Sequence, residues 1–398
     1  MTTIARDGID ATLLLTDDML ARFDERAPVY DRQNRFFEED FAELRDSGYL
    51  LAAVPREYGG AGLRLAEVMR LQQRLAYCAP ATAIAINMHL YWTGVAADLL
   101  RWGDPSCTWI LEEAAAGAVF AAGHGEIGND GGLFVSTTQA ERVAGGWRLT
   151  GHKVFGSLSP VWTYLGVHAM DTSDPLNPRV IHGFFPRSAD GYRIEHTWDA
   201  LGMRATASHD TILEGVFVPD ELTAVVCPAG AAGATPFHLA VLAWALLGFG
   251  NVYTGLARRA YDLIVEGAQR RKAMGLTRSV AYNPEIQHEV AEMRIALEAV
   301  DGHLGRICDD WTNGVDHGAE WPLKIIAAKH FAVNQAWNVV DRAFDVTGGG
   351  GVFRRNRLEQ LFRDARLGRI HPVNSIGTHE IIGKAALGID LDEQPRWG

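Results

Sequence analysis

No apolar run in this sequence is long and uniform enough to predict a membrane span. Such a span needs roughly 20 consecutive apolar residues, and the longest run, His238 to Ala257, is interrupted by tryptophan, asparagine, tyrosine and several glycines. We therefore expect a buried helix there and no membrane association. The N-terminal segment is not expected to be a signal peptide, because acidic residues stand on both sides of its short apolar run.

Cysteine is scarce, and acidic residues outnumber basic ones. The four cysteines, Cys78, Cys107, Cys227 and Cys308, lie far apart and form no CxxC pair. This excludes the common zinc patterns and predicts buried thiols in a reducing cytoplasm. The formal net charge of −12 argues against nucleic-acid binding, since nucleic-acid-binding proteins usually carry a basic face. We expect a cytoplasmic globular protein without a metal site.

Hydrophobic periodicity divides the chain into three parts. In residues 1–118, apolar residues recur three and four positions apart, as in "FFEEDFAELRDSGYLLAAV", which predicts helices. In residues 119–230, short runs such as "RVIHGFFPR" alternate with Gly-Gly and Asp-Gly turn signals and predict strands. Helical spacing returns in residues 231–398. The order predicts an α+β protein: an N-terminal helical domain, a middle β-domain and a C-terminal helical bundle.

One glycine-rich segment has the letters of a dinucleotide-binding fingerprint. "GHGEIG", residues 123–128, matches G-x-G-x-x-G. The fingerprint needs a helix immediately after it, so that the helix N-terminus can bind a pyrophosphate. Here "NDGG" and a strand-like run follow, so a Rossmann fold is not predicted.

Seven other motifs occur in order along the chain: "VPREYGGAGL", "GHKVFGS", "WDALGMRATASHDTILEGVFVP", "GLARRAYD", "RRKAMG", "VTGGGGVF" and "LFRDAR". Together they resemble the acyl-CoA dehydrogenase superfamily over nearly the whole chain. The resemblance implies a β-barrel-like middle domain, a C-terminal four-helix bundle and a flavin bound between them. It also implies a homotetramer built as a dimer of dimers. The implied cofactor is FAD, with FMN as an alternative.

The resemblance also implies which residues bind the flavin. Phe155 falls where an aromatic side chain packs on the isoalloxazine ring, and Ser157 where a hydroxyl reaches the reactive edge of the flavin. Arg271 matches the arginine that pairs with the flavin pyrophosphate across the dimer, a task that suits a guanidinium group. The remaining cofactor-binding residues implied by the resemblance are Gly349, Gly350 and Gly351, which let the backbone approach the adenine-side half, and Asn374.

The catalytic carboxylate of the dehydrogenases is missing from its family positions. In these enzymes a glutamate removes the α-proton of an acyl thioester. His371 and Pro372 stand where most members have a Tyr-Glu pair, and the alternative glutamate position falls at about Ala245. Gly123 replaces a family threonine, and Asp345 replaces a glutamine. These departures disfavour ordinary acyl-CoA desaturation.

The departures resemble a second branch of the superfamily, the two-component flavin monooxygenases of the dibenzothiophene and hydroxyphenylacetate hydroxylase kind. These enzymes accept reduced flavin from a separate reductase and react it with oxygen. The resemblance implies that His371 is the catalytic proton donor, since histidine titrates near neutral pH, and that Ser157 holds the flavin edge. Without the resemblance, His371 would be interpreted as a hinge residue, with Pro372 ending the preceding helix.

The substrate pocket is predicted less directly. His89 and Tyr91, in "NMHLYWTG", are candidates to line it, with Trp92 or Trp244 as an apolar wall. These residues fit packing in the hydrophobic core equally well.

The favoured function is hydroxylation of a small organic substrate with reduced flavin and oxygen. Two alternatives stay open. The first is an acyl-CoA dehydrogenase that uses His371 or Glu380 as its base, and the second is a flavin-binding protein without catalytic activity.

Overall fold

The computed structural model describes residues 9–129 and 132–393 and confirms the predicted α+β architecture. The N-terminal helices are α1 (Asp17–Gln33), α2 (Glu38–Asp46), α3 (Leu65–Cys78), α4 (Pro80–Arg101) and α5 (Thr108–Ala115). Helix α4 begins with Pro80, which has no N–H to leave unpaired in the first turn. It is buried from Pro80 to Leu99 and forms the core of this part of the protein.

The middle of the chain forms one sheet. Its strands are β1 (Phe120–Gly123), β2 (Gln139–Val143), β3 (Gly146–Gly156), β4 (Tyr164–Asp171), β5 (Arg179–Pro186), β6 (Tyr192–Glu195), β7 (His209–Pro219) and β8 (Thr223–Pro228). They are ordered β6-β7-β3-β2-β4-β5-β8, and β1 pairs with β4. Although three strands separate β5 from β7, a Cβ on Gly183 of β5 would lie 2.7 Å from Val218 Cγ1 of β7. The sheet therefore curls upon itself, as the expected barrel-like domain requires.

Helices return in the last part of the described chain. They are α6 (Pro236–Leu242), α7 (Gly248–Arg270), α8 (Pro284–Val300), α9 (Arg306–Thr312), α10 (Trp321–Thr347), α11 (Arg357–Leu367) and α12 (Ser375–Leu387). A π-helical turn, Ala243–Leu247, joins α6 and α7 into one helix. This helix is long and apolar enough to cross a membrane by length and composition, but 83% of its most apolar window is buried. It packs against α3, α4 and α10 as a core helix.

Close packing and one buried carboxylate join the N-terminal helices to the C-terminal helices. A Cβ on Gly94 of α4 would lie only 2.2 Å from the Trp244 ring, so glycine allows the two helices to approach. The indole N–H groups of Trp244 and Trp311 donate to Asp98 Oδ2 at 2.7 and 2.8 Å. Arg101 also pairs with Asp98, so the buried charge is compensated.

Candidate active site

His371 lies in the loop between α11 and α12, against the buried face of α7. Its ring stacks on Phe249 with centroids 4.6 Å apart, and its Nε2 lies 2.9 Å from the hydroxyl of Tyr253. Burial, and secondarily the nearby Lys329, lowers the pKa of His371 to about 3. The imidazole is therefore neutral at neutral pH, and it does not titrate near neutrality as the sequence-based argument assumed.

The contact with Tyr253 indicates which ring nitrogen carries the proton. Burial raises the pKa of Tyr253 well above its ordinary value, so the phenol stays protonated. Among the described residues, the Tyr253 hydroxyl has no other hydrogen-bond partner, and a buried O–H group needs an acceptor. Tyr253 thus donates to Nε2, and the His371 proton is on Nδ1. That N–H has no partner within the described part of the chain and can donate to a bound ligand.

Ser157, just beyond β3, belongs to a chain of hydroxyl groups. Its Oγ lies 2.7 Å from Ser208 Oγ, which lies 2.6 Å from Thr206 Oγ1. Thr206 donates to the carbonyl of Met203 at 2.9 Å. This last bond sets the direction of the chain: Ser208 donates to Thr206, and Ser157 donates to Ser208. The Ser157 oxygen consequently has lone pairs available to accept a hydrogen bond.

The loop that contains Met203 and Thr206 packs on α11, the helix that precedes the His371 loop. The buried carboxylate of Asp364, on α11, accepts the backbone N–H of Met203. A Cβ on Gly202 would lie 2.6 Å from the backbone carbon of Arg363, so only glycine lets the loop lie flat on α11. The middle domain and the C-terminal bundle are thus joined at α11, the helix that precedes the His371 loop.

The residues around Ser157 fit the flavin that the family resemblance implies. Phe155 has a left-handed backbone, with φ of 59°, and a register shift in the β3–β7 pairing lies beside it. Its ring is 60% exposed and touches Trp198 edge-on at 6.0 Å. A non-glycine residue with this φ is strained, and here the strain turns an aromatic face outward. An exposed ring beside a hydroxyl acceptor suits a flat heterocycle with N–H groups on its edge.

The structure brings the predicted pyrophosphate arginine to the predicted glycine loop. Arg271, at the end of α7, donates from Nη1 to the carbonyl of Thr347 at 3.0 Å and from Nη2 to that of Val346 at 2.9 Å. These carbonyls end α10, directly before the turn Gly348–Val352. Added Cβ atoms at Gly349 and Gly350 would meet no other atoms within 4 Å, whereas Gly351 is buried. The guanidinium has further N–H groups besides these two, and together with an open glycine turn it suits a phosphate.

Asn374 caps helix α12, its side chain accepting the N–H of Gly377 at 3.0 Å. It lies three residues after His371. A flavin role for it stays a prediction.

The predicted pocket residues differ in what they can offer a substrate. His89 donates from Nε2 to the carbonyl of Leu50 at 2.9 Å and accepts the N–H of Phe120 on Nδ1 at 3.1 Å, so both ring nitrogens are used. Trp244 is buried with its N–H bonded to Asp98. The hydroxyl of Tyr91 is buried and has no hydrogen-bond partner among the described residues.

The segment that mimics a dinucleotide fingerprint has a different purpose. Glu126, within it, pairs with the buried Lys153 at 2.6 Å and accepts hydrogen bonds from Ser136 and Thr138. Burial alone would raise the pKa of Glu126, but Lys153 and these donors lower it to about 2. The ion pair anchors the loop after β1 to the sheet. The sequence analysis missed this ion pair, because the spacing of residues along the chain cannot show that a loop residue after β1 contacts a lysine of β3.

No carboxylate stands at either family position for the base. Pro372 lies in the His371 loop, and Ala245 lies in the π-helical turn before α7. Glu380 is in α12 and pairs with Lys384 at 2.8 Å. Asp345 is exposed near the end of α10. Among the described residues, no group of three or more histidine, cysteine, aspartate or glutamate side chains could hold a metal ion.

Comparisons with known proteins agree with this architecture. The family model described as "Acyl-CoA dehydrogenase, N-terminal domain" matches residues 17–107, and "Acyl-CoA dehydrogenase, C-terminal domain" matches residues 247–376. "Putative acyl-CoA dehydrogenase YdbM" of Bacillus subtilis (strain 168) is 30% identical over 371 residues, covering 91% of this chain and 93% of that protein.

Two further matches are nitrososynthases. "L-evernosamine nitrososynthase" of a Micromonospora species is 27% identical over 94% of this chain and 89% of its own length. The crystal structure of a nitrososynthase from Micromonospora carbonacea var. africana superposes with a TM-score of 0.81 at 25% identity, covering 96% of this chain and all of that chain. The chain is thus similar to proteins named for different reactions.

Proposed function

The chain belongs to the acyl-CoA dehydrogenase family, and from this premise we propose that it is a flavin-dependent monooxygenase acting on a small organic substrate. The observation that carries the proposal is the contact of the His371 imidazole with Tyr253, which leaves Nδ1–H without a partner among the described residues, in the loop where the dehydrogenases hold a carboxylate. The arrangement offers a hydrogen-bond donor where desaturation would need a strong base.

Desaturation of an acyl thioester fits this site less well. The α-proton is weakly acidic, so its base must hold protons well near neutral pH. His371, with a pKa of about 3, is a poor base, and Pro372 and Ala245 have no titratable group. Glu380 already pairs with Lys384.

The protein's part in oxygen insertion can be assigned to named atoms. When bound, reduced flavin supplies the electrons for oxygen reduction. Ser157 would accept a hydrogen bond from the flavin edge, and Phe155 would pack on its ring. His371 donates from Nδ1 to the reacting oxygen, and Tyr253 keeps the ring in that tautomer. Insertion of one oxygen atom and release of the other as water also require that bulk water be excluded.

A separate flavin reductase and a homotetramer belong to the same proposal. Exposed apolar side chains lie in the segments that contain the predicted cofactor residues: Met274 after Arg271, Phe353 after the glycine turn, and Ile376 after Asn374. A second subunit that covers them would also complete the flavin site. Arg271 and the glycine turn favour FAD over FMN, because FMN has no pyrophosphate.

The first experiment identifies the electron donor. We expect flavin bound to the purified protein to be bleached by a flavin reductase with reduced nicotinamide and not by straight-chain acyl-CoA thioesters. The substrate panel should contain amines, because of the nitrososynthase relatives, and aromatic heterocycles. Bleaching by an acyl-CoA would identify a dehydrogenase, and a flavin that turns over with no donor would identify a non-catalytic protein.

Replacement of His371 tests its role directly. In His371→Ala, flavin should bind normally, but hydrogen peroxide should replace oxygenated product, and product formation should fall by about 10²–10³-fold, the usual cost of removing one preorganised hydrogen-bond donor. His371→Asn should recover part of the activity, because its amide still donates a hydrogen bond. His379→Ala, an exposed histidine on α12, is the control. If His371→Ala still forms oxygenated product in place of peroxide as the parent protein does, His371 is only a hinge residue.

A further inference from the structure

A lysine is buried in the middle of α10, beneath the His371 loop. Lys329 is 1% exposed, and its neighbours on the helix, Ile325, Ile326, Ala332 and Val333, are apolar core residues. Burial of an amino group costs free energy unless it is hydrogen-bonded. Its partners are two carbonyl oxygens: Nζ donates to that of His371 at 2.7 Å and to that of Val373 at 2.9 Å.

The loop has little else to hold its backbone. The N–H of His371 reaches the carbonyl of Leu367 only at 3.3 Å, and Pro372 has no N–H to donate. The carbonyl of Val373 also accepts from Thr378 Oγ1, at 3.3 Å. Among the described residues, the shortest hydrogen bonds to the backbone of residues 371–373 are therefore those from Lys329, which lies 42 residues before His371 in the chain.

His371 is thus held from two sides. Tyr253 and Phe249, both on α7, fix the ring, whereas Lys329 on α10 fixes the backbone that carries it. If the backbone shifts, the bond from Tyr253 cannot form with the same geometry, and Nδ1 no longer points in one direction.

We propose that Lys329 is a positioning residue, whose amino group holds the His371–Val373 backbone so that His371 presents Nδ1–H to the reacting oxygen. The proposal rests on the proposed function for its chemical purpose. The clamp, which consists of the two hydrogen bonds from Lys329 to the loop backbone, is a property of this chain and can be measured without turnover.

The test compares three variants by hydrogen exchange and histidine NMR. Lys329→Met keeps the shape of the side chain but removes both hydrogen bonds, and Lys329→Arg keeps donors. Lys324→Met changes a lysine of the same helix that makes no hydrogen bond to the loop within the described part of the chain. In flavin-free protein, we expect amide exchange in the segment 370–378 to speed up about 10-fold or more in Lys329→Met, since two hydrogen bonds are lost. Lys329→Arg should restore part of the protection, and Lys324→Met should match the parent protein.

The second readout is the imidazole of His371. In ¹⁵N-histidine spectra, the parent protein should show one tautomer protonated at Nδ1, and Lys329→Met should show a mixture. Unchanged exchange and an unchanged tautomer in folded Lys329→Met would overturn the proposal. If Lys329→Met does not fold, normal exchange and tautomer in Lys329→Gln, which is too short to reach both carbonyls, would overturn it instead.

Catalysis then separates this proposal from the proposed function. In a working oxygenase, Lys329→Met should bind flavin normally but release hydrogen peroxide in place of oxygenated product, as His371→Ala does. If the parent protein oxygenates nothing but the exchange and tautomer results hold, the proposed function fails while the clamp stands. Normal coupling in a variant with a loosened loop would show that Lys329 does not position His371 for the reaction.

Discussion

His371 has the properties described here because of residues that are remote in sequence. The motif resemblance is enough to single out His371, but Tyr253 lies 118 residues away and occupies a buried helix position that any large apolar residue could fill. Lys329 could have been noticed in the sequence, because within "KIIAAKHFAV" it is a charged residue at a position of the apolar face. What the sequence could not predict is the direction of each hydrogen bond, because that depends on which helices meet.

Tyr253→Phe should separate orientation of His371 from the presence of its ring. The variant keeps the aromatic packing but removes the donor to Nε2, so both tautomers of the imidazole become accessible. We expect unchanged flavin affinity, more peroxide per reduced flavin consumed, and a loss of stability of about 1 kcal/mol. Tyr261→Phe, on the same helix, is the control. Full coupling in Tyr253→Phe would mean that the tautomer is fixed by something other than this hydroxyl.

Strand pairing collects histidines inside the middle sheet. His168 of β4 and His182 of β5 are register partners with stacked rings, and His124 and His238 contact them edge-on. Burial lowers the pKa of His124 to about 3 and that of His238 to about 4, and those of His168 and His182 lie well below their ordinary value. Sequence periodicity predicted both strands, but it could not predict their register, and so not this cluster.

The cluster predicts acid sensitivity of the folded protein. The unfolded chain binds protons on these histidines below about pH 6.5, whereas the folded protein keeps His124 and His238 neutral until about pH 3 to 4 and lowers the pKa of His168 and His182 in the same direction. Their contribution to stability is therefore complete above pH 6.5 and is lost as the pH falls through this window. Between about pH 4 and 6.5, the contribution of His124 and His238 to the free energy of unfolding should fall with falling pH, by up to about 1.4 kcal/mol per pH unit for each histidine. Urea unfolding at several pH values measures this change.

One variant can measure the share of a single histidine. The slope of the free energy of unfolding against pH reports how many protons the chain takes up on unfolding. His182→Gln should lower that number by about one, even if it also lowers stability at neutral pH. His288→Gln, at a side chain that is 71% exposed, should leave the slope unchanged. Equal slopes in all three proteins would show that other groups cause the acid unfolding.

The order of the three parts was predictable for the molecule as a whole, because helical and strand periodicities differ over long segments. Three features were not: the curl of the sheet, the π-helical turn that makes α6 and α7 continuous, and the docking of the loop around Met203 on α11. Each depends on contacts between distant segments, such as that of Gly202 with Arg363. The site residues could therefore be named from the sequence, but the contacts that hold them could not be predicted.

Flavin binding and subunit assembly should be linked through Arg271. It lies beside the glycine turn, and exposed apolar residues such as Met274 and Phe353 follow each of these segments. We expect Arg271→Ala to weaken flavin binding by about 10-fold or more, because charge-assisted hydrogen bonds to phosphate contribute roughly 1.5–3 kcal/mol, and flavin to promote assembly in sedimentation velocity. Arg270→Ala, which loses only an exposed pair with Glu266, is the matched control. Equal flavin affinities for the two variants would place the pyrophosphate elsewhere, and flavin binding by a stable monomer would mean that one subunit contains the whole site.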